Sequence, residues 1–294
     1  MHAAIIGALA GLTVTGSAMA GPIRLTDALD RTVELRAAPR RVVTIFSSNT
    51  ELVAALGLTD RIVGIDAFTR YPPEAATKPV VGGRLGFSVD AVVAQNPDLV
   101  LVTPARQAAH QLLAPMERLG LPVIVLTSRS LDEVLGNIRL VGRALGVAER
   151  GEAVAAGLEA RLAAVARRLA GTVCPRTILV TGRLGNGLLL VARQDTYTGD
   201  ALVRAGTCPA LANRGIAQVS PEAVLAADPD VLLLAGQEWE LAELTARPGF
   251  REMRAVQAGR AHTLPRAEFL IPGPRTVDGI ERLAALLHPH QTAP

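Results

Sequence analysis

The sequence predicts an α/β chain of two similar lobes, each built on a mainly parallel sheet, with a crevice between them. Three observations predict it. Short apolar runs recur at Val42–Phe46, Asp98–Val102, Pro122–Leu126, Thr177–Val180 and Val231–Leu234, and none of them alternates polar with apolar. Continuous apolar strands are buried on both faces, as in parallel sheets covered by helices. Helical patterns stand between these runs. The chain also repeats itself: residues 88–102 match residues 220–234 at seven of fifteen positions. A weaker match pairs Pro39-Arg-Arg-Val-Val with Pro175-Arg-Thr-Ile-Leu, in the same order and at nearly the same spacing. A repeat this long is a duplicated domain rather than a solenoid. A helix followed by Asn/Asp-Pro-Asp and a strand is also a common α/β connection, so either match alone would carry little. Ligands favour the crevice outside the carboxyl ends of such strands and at domain interfaces.

The elements follow in order. Ala3 to Val14 is almost wholly apolar or small, and Ala18-Met19-Ala20 gives an A-x-A site before Gly21. This reads as a cleavable secretory signal peptide over residues 1–20, although no Lys or Arg stands ahead of the apolar run. No Cys sits at the cleavage point, so a lipid anchor is not expected, and the product is read as a soluble periplasmic protein. Ile23 to Leu35 reads as a polar β-ribbon turning near Leu29-Asp30. Ser48-Asn49-Thr50-Glu51 and Ser130-Leu131-Asp132-Glu133 fit the capping box that opens a helix. Between Val147 and Leu169 the chain is rich in Ala, Glu, Arg and Leu, and Leu158, Leu162, Val165 and Leu169 form one apolar stripe. Gly182, Gly185 and Gly187 lack the G-x-G-x-x-G order and read as a turn between strands. Cys174 and Cys208 either form one disulfide or are two separate buried thiols.

Composition narrows the function. With 49% hydrophobic and 19% charged residues among 294, the chain fills well-packed cores. A net charge of +3 without a Lys/Arg cluster argues against nucleic-acid binding. Neither a G-x-S-x-G elbow nor a P-loop is present, and the carboxylates form no pair whose spacing marks an acid and a base. His110, His262, His288 and His290 form no compact ligand set and read as surface residues; no metal site, catalytic residue or permanent cofactor is expected.

Residues 41–57, Arg-Val-Val-Thr-Ile-Phe-Ser-Ser-Asn-Thr-Glu-Leu-Val-Ala-Ala-Leu-Gly, carry a resemblance. Val63-Gly-Ile-Asp, Tyr71-Pro-Pro-Glu, Val81-Gly-Gly-Arg-Leu, Asn96-Pro-Asp-Leu-Val, Gly259-Arg-Ala-His-Thr-Leu-Pro265 and the run from Pro274 to Leu283 follow in order. Together they resemble the class III periplasmic binding proteins of ABC importers, the ferric-siderophore, haem and cobalamin branch, over essentially the whole mature chain. The resemblance implies two Rossmann-like lobes, 21–146 and 171–294, joined by a backbone helix at 147–170 that bends less readily than paired loops. It implies a monomer that delivers a small-molecule metal chelate to a permease dimer driven by an ATPase. A ferric siderophore is the leading ligand; cobalamin, another tetrapyrrole or an oxyanion are alternatives, and an exported α/β enzyme is the rival of a different class. Haem-binding relatives often carry a Tyr ligand at the position of Gly83, which this chain lacks, and cobalamin binders line the cleft with Trp and Tyr, whereas aromatics here are only 3%.

The resemblance also implies site residues. Arg84 stands in a cleft-facing segment, where its planar fork suits anionic or oxygen-rich chelates, unless it is a solvated loop residue. Phe68 falls at a cleft-facing aromatic position, unless it is an ordinary core residue. Arg266, Glu268 and Phe269 fall on the second-lobe ligand loop. Trp239, the one Trp, follows the Val231–Leu234 strand and either walls the cleft or caps a helix. Asp90 and Glu222 occupy equivalent places in the two repeats, just behind Ser88 and Ser220 as N-caps, with Pro221 at a first helical position. They resemble the acidic pair that docks on permease arginines, with Asp90 standing where Glu is usual; the alternative role is helix-dipole stabilisation.

Overall fold

The protein is described by a computed structural model covering residues 21–289, apart from 84–85, 104–107 and 214. The expected signal peptide and Arg84 therefore lie outside the described residues. The chain opens with an antiparallel ribbon, β1 (Ile23–Thr26) and β2 (Thr32–Leu35), turning at Asp30 with φ 57°. The first lobe follows: β3 (Val42–Ile45), α1 (Ser47–Ala55), β4 (Ile62–Asp66), β5 (Val80–Gly83), β6 (Gly86–Phe87), α2 (Val89–Val93), β7 (Leu99–Val102), α3 (Ala108–Arg118), β8 (Val123–Val125) and α4 (Leu131–Ala144). Its sheet runs β6-β5-β4-β3-β7-β8, parallel except for the short β6. Every residue of β3, β7 and β8 is buried, which is why these strands read as unbroken apolar runs.

Helix α5 (Ala148–Arg168) leads into the second lobe. There follow β9 (Arg176–Arg183), β10 (Leu189–Val191), α6 (Tyr197–Arg204), β11 (Cys208–Pro209), β12 (Gln218–Val219), α7 (Pro221–Ala227), β13 (Val231–Ala235), α8 (Glu238–Thr245), α9 (Arg254–Gln257), β14 (Ala261–Leu264), α10 (Arg266–Phe269) and α11 (Arg275–Leu287). The second sheet runs β12-β10-β9-β13-β14, with β11 beside the start of β9. Here β9, β13 and β14 are parallel, while β10 and β12 turn back antiparallel. The glycine-bearing segment 184–188 is the hairpin between β9 and β10, as expected of a turn. Cys174 and Cys208 form a disulfide that ties the entry of β9 to β11.

The core explains how the lobes are held. One face of each sheet has its own apolar cluster: Val43, Val81, Val100 and Met116 in the first lobe, Ile178, Leu189, Leu232 and Phe250 in the second. The other faces share a single cluster, running from Leu52 and Leu99 through Ile138, Leu158 and Leu162 to Leu179, Leu233 and Ile280. The seam along α5 is thus packed apolar core, and bending it would expose apolar surface at roughly 25 cal/mol per Å². Arginines add to it at the helix surface: Arg139 of α4 forks onto Glu152 and Glu159, and Arg161 forks onto Asp278 and Glu281 of α11.

Two expectations need correction. The capping box at Ser48–Glu51 does not form. Helix α1 begins at Ser47, its N-cap is Phe46 without a side-chain bond, and Glu51 turns inward to another partner. His288 is not a surface residue: it is buried, its ring Nε2 lying 3.2 Å from the carbonyl oxygen of Gly206. The left-handed turn at Gly206, with φ 85°, brings that carbonyl under the imidazole.

Candidate functional site

In each lobe the strand order reverses between two parallel neighbours, whose carboxyl ends are the favoured place for a ligand. In the first lobe these neighbours are β3 and β7. Phe46 follows β3 at φ 78°, in the left-handed range that residues with a Cβ rarely adopt. The fold holds it there: Asn49 Nδ2 donates to the carbonyl of Ile45 (2.6 Å), and Thr103 at the end of β7 donates to Asn49 Oδ1 (3.2 Å). The next strand end, that of β4, carries an aromatic loop. Asp66 is buried, and its carboxylate accepts the N–H of Phe68 (2.6 Å) and the hydroxyl of Thr69 (3.1 Å). Thr69, Thr50 and Thr44 continue this into a buried hydroxyl chain. The loop so fixed projects Phe68 into solvent, 55% exposed, with Tyr71 three residues on and also exposed.

In the second lobe the neighbours are β9 and β13. Their carboxyl ends border an open cavity of about 630 Å³, lined by Thr181, Gly182 and Arg183 of β9, the following hairpin, Leu234 and Ala235 of β13, Glu240 and Glu243 of α8, Arg247, Arg266 and Leu270. Arg266 donates Nε–H to the carbonyl of Ala235 (2.9 Å) and Nη2–H to Glu240 (2.8 Å), whose other oxygen closes the true capping box of α8 by accepting from Gln237 N. Arg183 donates to Glu243 at 2.8 Å.

An ion pair joins the two lobes. Glu51 of α1, its side chain 2% exposed, accepts from Arg275 at the start of α11 (2.9 Å). Burial pushes the Glu51 carboxyl above the ordinary glutamate value, and Arg275 only partly offsets it. The ring of Tyr71 covers the Arg275 guanidinium, 4.1 Å from carbon to ring centroid, a cation–π contact across the same seam. A second interlobe link lies at α4 and α6: Asp200 accepts from Leu131 N (2.8 Å), and Arg204 bridges Asp200 and Asp132.

The residues expected at the site divide. Phe68 stands exposed on the first-lobe loop, and Arg266 lines the second-lobe cavity. Phe269 is a correction: its ring is 0% exposed, inside the shared core and against Gly279. Glu268 turns away with it and pairs with Arg282 of α11, so it is a packing and pairing residue rather than part of the wall. Trp239 is 64% exposed on the first turn of α8, outside the set of residues that line the cavity. Ser88 and Ser220 cap α2 and α7 through the N–H groups of Ala91 and Ala223, leaving Asp90 and Glu222 exposed in the first turns. The Ser220 hydroxyl and the main-chain N–H of Glu222 hold the Glu222 carboxyl below its ordinary value. Sequence reading missed Arg183, Glu243 and Arg247. The signals were an arginine at the last position of a strand and a Glu–Arg pair four residues apart after the next strand's helix begins.

No group of three or more His, Cys, Asp or Glu that could hold a metal ion occurs among the described residues. None of their helices is long and apolar enough to cross a membrane. The first lobe presents an exposed aromatic beside a strand end, and the second a cavity lined with hydrogen-bond donors that can receive a small molecule.

Comparison with known proteins agrees. The family described as "Periplasmic binding protein" matches residues 42–267. An uncharacterized ABC transporter substrate-binding lipoprotein of Bacillus subtilis (strain 168), YvrC, is 25% identical over 91% of this chain and 86% of its own length. A vitamin B12-binding protein of Salmonella choleraesuis (strain SC-B67) is 29% identical over 72% of this chain and 78% of its own. Among solved structures, the periplasmic heme-binding protein RhuT from Roseiflexus sp. RS-1, in apo form, is 30% identical and superposes with a TM-score of 0.75 over 86% of this chain and 99% of that one.

Proposed function

The chain belongs to the periplasmic binding protein family, and from that premise we propose that it is the substrate-binding component of an ABC importer, capturing a ferric siderophore between its lobes and carrying it to the permease. The observation that carries this reading is the cavity at the carboxyl ends of β9 and β13, lined by Arg266, in a lobe joined to the Phe68-bearing lobe by the Glu51–Arg275 pair. A chelate enclosed there meets an aromatic face on one side and guanidinium donors on the other. Arg84, which lies outside the described residues, is a further proposed donor to the chelate. Trp239, the one Trp, is exposed on the first turn of α8 and is the fluorescence reporter of binding.

A tetrapyrrole or corrinoid cargo is the second reading, favoured by the vitamin B12 and heme for which the relatives are named. Gly83 weighs against a heme ligand at that position: a Cβ there would meet Ala67 at 3.0 Å, so the strand end has little room for a larger side chain.

Docking on the permease falls to Asp90 and Glu222, one exposed carboxylate on each lobe at equivalent helix starts. Two acids related by the repeat suit arginines on a two-fold partner, whereas helix-dipole stabilisation alone is worth about 0.3–1 kcal/mol each. The test uses the full chain with its permease and ATPase in vesicles. Asp90→Ala combined with Glu222→Ala leaves chelate affinity near wild type and weakens docking by about 2 kcal/mol or more, so uptake falls sharply. Full uptake by a correctly folded double variant contradicts the docking assignment, and uptake that never needs this protein contradicts the transport reading itself.

A further inference from the structure

We propose that the second-lobe wall is a carboxylate-binding subsite, in which Arg183 and Arg247 recognise acidic groups on the bound chelate; this rests on the cleft-binding reading above and names the chemical class that the cleft selects.

The argument is a count of donors and acceptors around one cavity. Three guanidinium groups line it, those of Arg183, Arg247 and Arg266, against two carboxylates, Glu240 and Glu243. Both carboxylates are already engaged. Glu240 takes Arg266 through one oxygen and the N–H of Gln237 through the other, and Glu243 takes Arg183. The positive fields of Arg183 and Arg247 hold the Glu243 carboxyl below its ordinary value, so it stays ionised and keeps Arg183 in place. The arginines are far from saturated. Each guanidinium carries five N–H donors. Arg183 spends one on Glu243, Arg266 spends two, and the guanidinium of Arg247 has no hydrogen-bond partner among the described residues. Arg183 and Arg247 are half-buried with their unused donors still open to the cavity, so an acidic ligand group can take them in place of water.

The wall therefore offers surplus positive charge and surplus donors, with no carboxylate left over for a cation. A cationic chelate would meet only paired carboxylates, and a neutral one would leave Arg247 unanswered. Carboxylate oxygens match the guanidinium fork two at a time. The floor is made for close approach as well: Gly182, Gly185 and Gly187 line the same cavity and bring main chain rather than side chains to the ligand. The acid groups could belong to a carboxylate chelator of iron or be the propionates of a tetrapyrrole; the chemistry at the wall is the same.

Calorimetric titration separates these sources. The probes are ferric citrate, metal-free citrate, haemin, haemin dimethyl ester, cationic ferrioxamine B and cyanocobalamin, each added to wild type, to Arg247→Gln and to the Arg183→Gln/Arg247→Gln double variant. Arg247→Gln breaks no side-chain hydrogen bond or ion pair of the described residues; thermal melts check the folding of both variants. Ferric citrate or haemin is expected to bind wild type at least about tenfold more tightly than ferrioxamine B or cyanocobalamin, and to lose about tenfold or more in the double variant. That advantage should shrink as salt is raised. If haemin binds and its dimethyl ester binds about tenfold less, the acids are propionates; if ferric citrate prevails, they belong to a chelator. Tightest binding of ferrioxamine B or cyanocobalamin, unchanged in Arg247→Gln, overturns the subsite and leaves the chelate-binding reading standing. Binding of metal-free citrate alone, lost in the double variant, supports the subsite and overturns the metal-chelate reading. Binding of none of the probes overturns both.

Discussion

The Asp27 carboxylate is shut off from water and accepts from the N–H groups of Leu29 (2.9 Å), Arg31 (3.2 Å) and Val125 (3.1 Å), besides the guanidinium of Arg31. Burial alone would raise its pKa, but these hydrogen bonds, that of Arg31 foremost, outweigh the burial and hold the carboxyl below its ordinary value. A lowered carboxyl contributes stability that is present above the unfolded value of about 3.9 and lost as pH falls through the folded one. Asp27→Ala strips three main-chain donors of their acceptor and leaves Arg31 without its main partner, a cost of about 3–5 kcal/mol. Thermal melts at neutral pH should show that loss, and the gap to wild type should narrow as pH falls below about 4. An unchanged midpoint at neutral pH would mean that the ribbon is held by something else. Glu51 works in the opposite sense: with its carboxyl raised by burial, its contribution is eroded as pH rises through the ordinary glutamate range. None of this was legible beforehand. Asp27 lies in a stretch that reads simply as a polar turn, and Glu51 reads as a cap, because sequence spacing reports local partners whereas Arg275 lies 224 positions away.

Helix α5 was legible as an element because Leu158, Leu162 and Val165 fall on one buried face. Its rigidity as a connector depends on something less visible, the near-contact of α4 and α5 at Gly142 and Gly151. A Cβ on Gly151 would meet Gly142 Cα at 3.1 Å and the carbonyl oxygen of Ile138 at 3.2 Å. Both are main-chain atoms that cannot step aside, so the helices would have to separate. Gly151→Ala gains helix propensity of about 1 kcal/mol, yet it should destabilise the protein by about 1–3 kcal/mol net through overpacking. A melting point at or above wild type would show that the crossing has slack. The short strands β11 and β12 escaped sequence reading because two residues carry no periodicity, and pairing to β9 or β10 is what makes them strands. By contrast, β3, β7 and β13 were legible because burial on both faces forces an unbroken apolar run.

For the whole molecule, the internal repeat foretold two sheets, and one apolar cluster running from Leu52 to Ile280 packs against both. The site was legible in part. Phe68 is exposed on the loop after β4 and Arg266 lines the second-lobe cavity, whereas Phe269 was misread because, three residues past Arg266, its ring packs into the shared core against Gly279. Arg183 and Arg247 went unseen because their meeting depends on the packing of α8 against the end of β9, which pattern alone does not encode. The central claim is that one ligand is held between the lobes, touching both. Hydrogen–deuterium exchange, with and without the tightest binder among ferric citrate, ferrioxamine B, haemin and cyanocobalamin, tests it directly. The account predicts that binding slows exchange together at the Phe68–Arg70 loop of the first lobe and at the Thr181–Leu188 strand end and hairpin of the second. Slowing confined to one lobe, or located away from both strand ends, would contradict it.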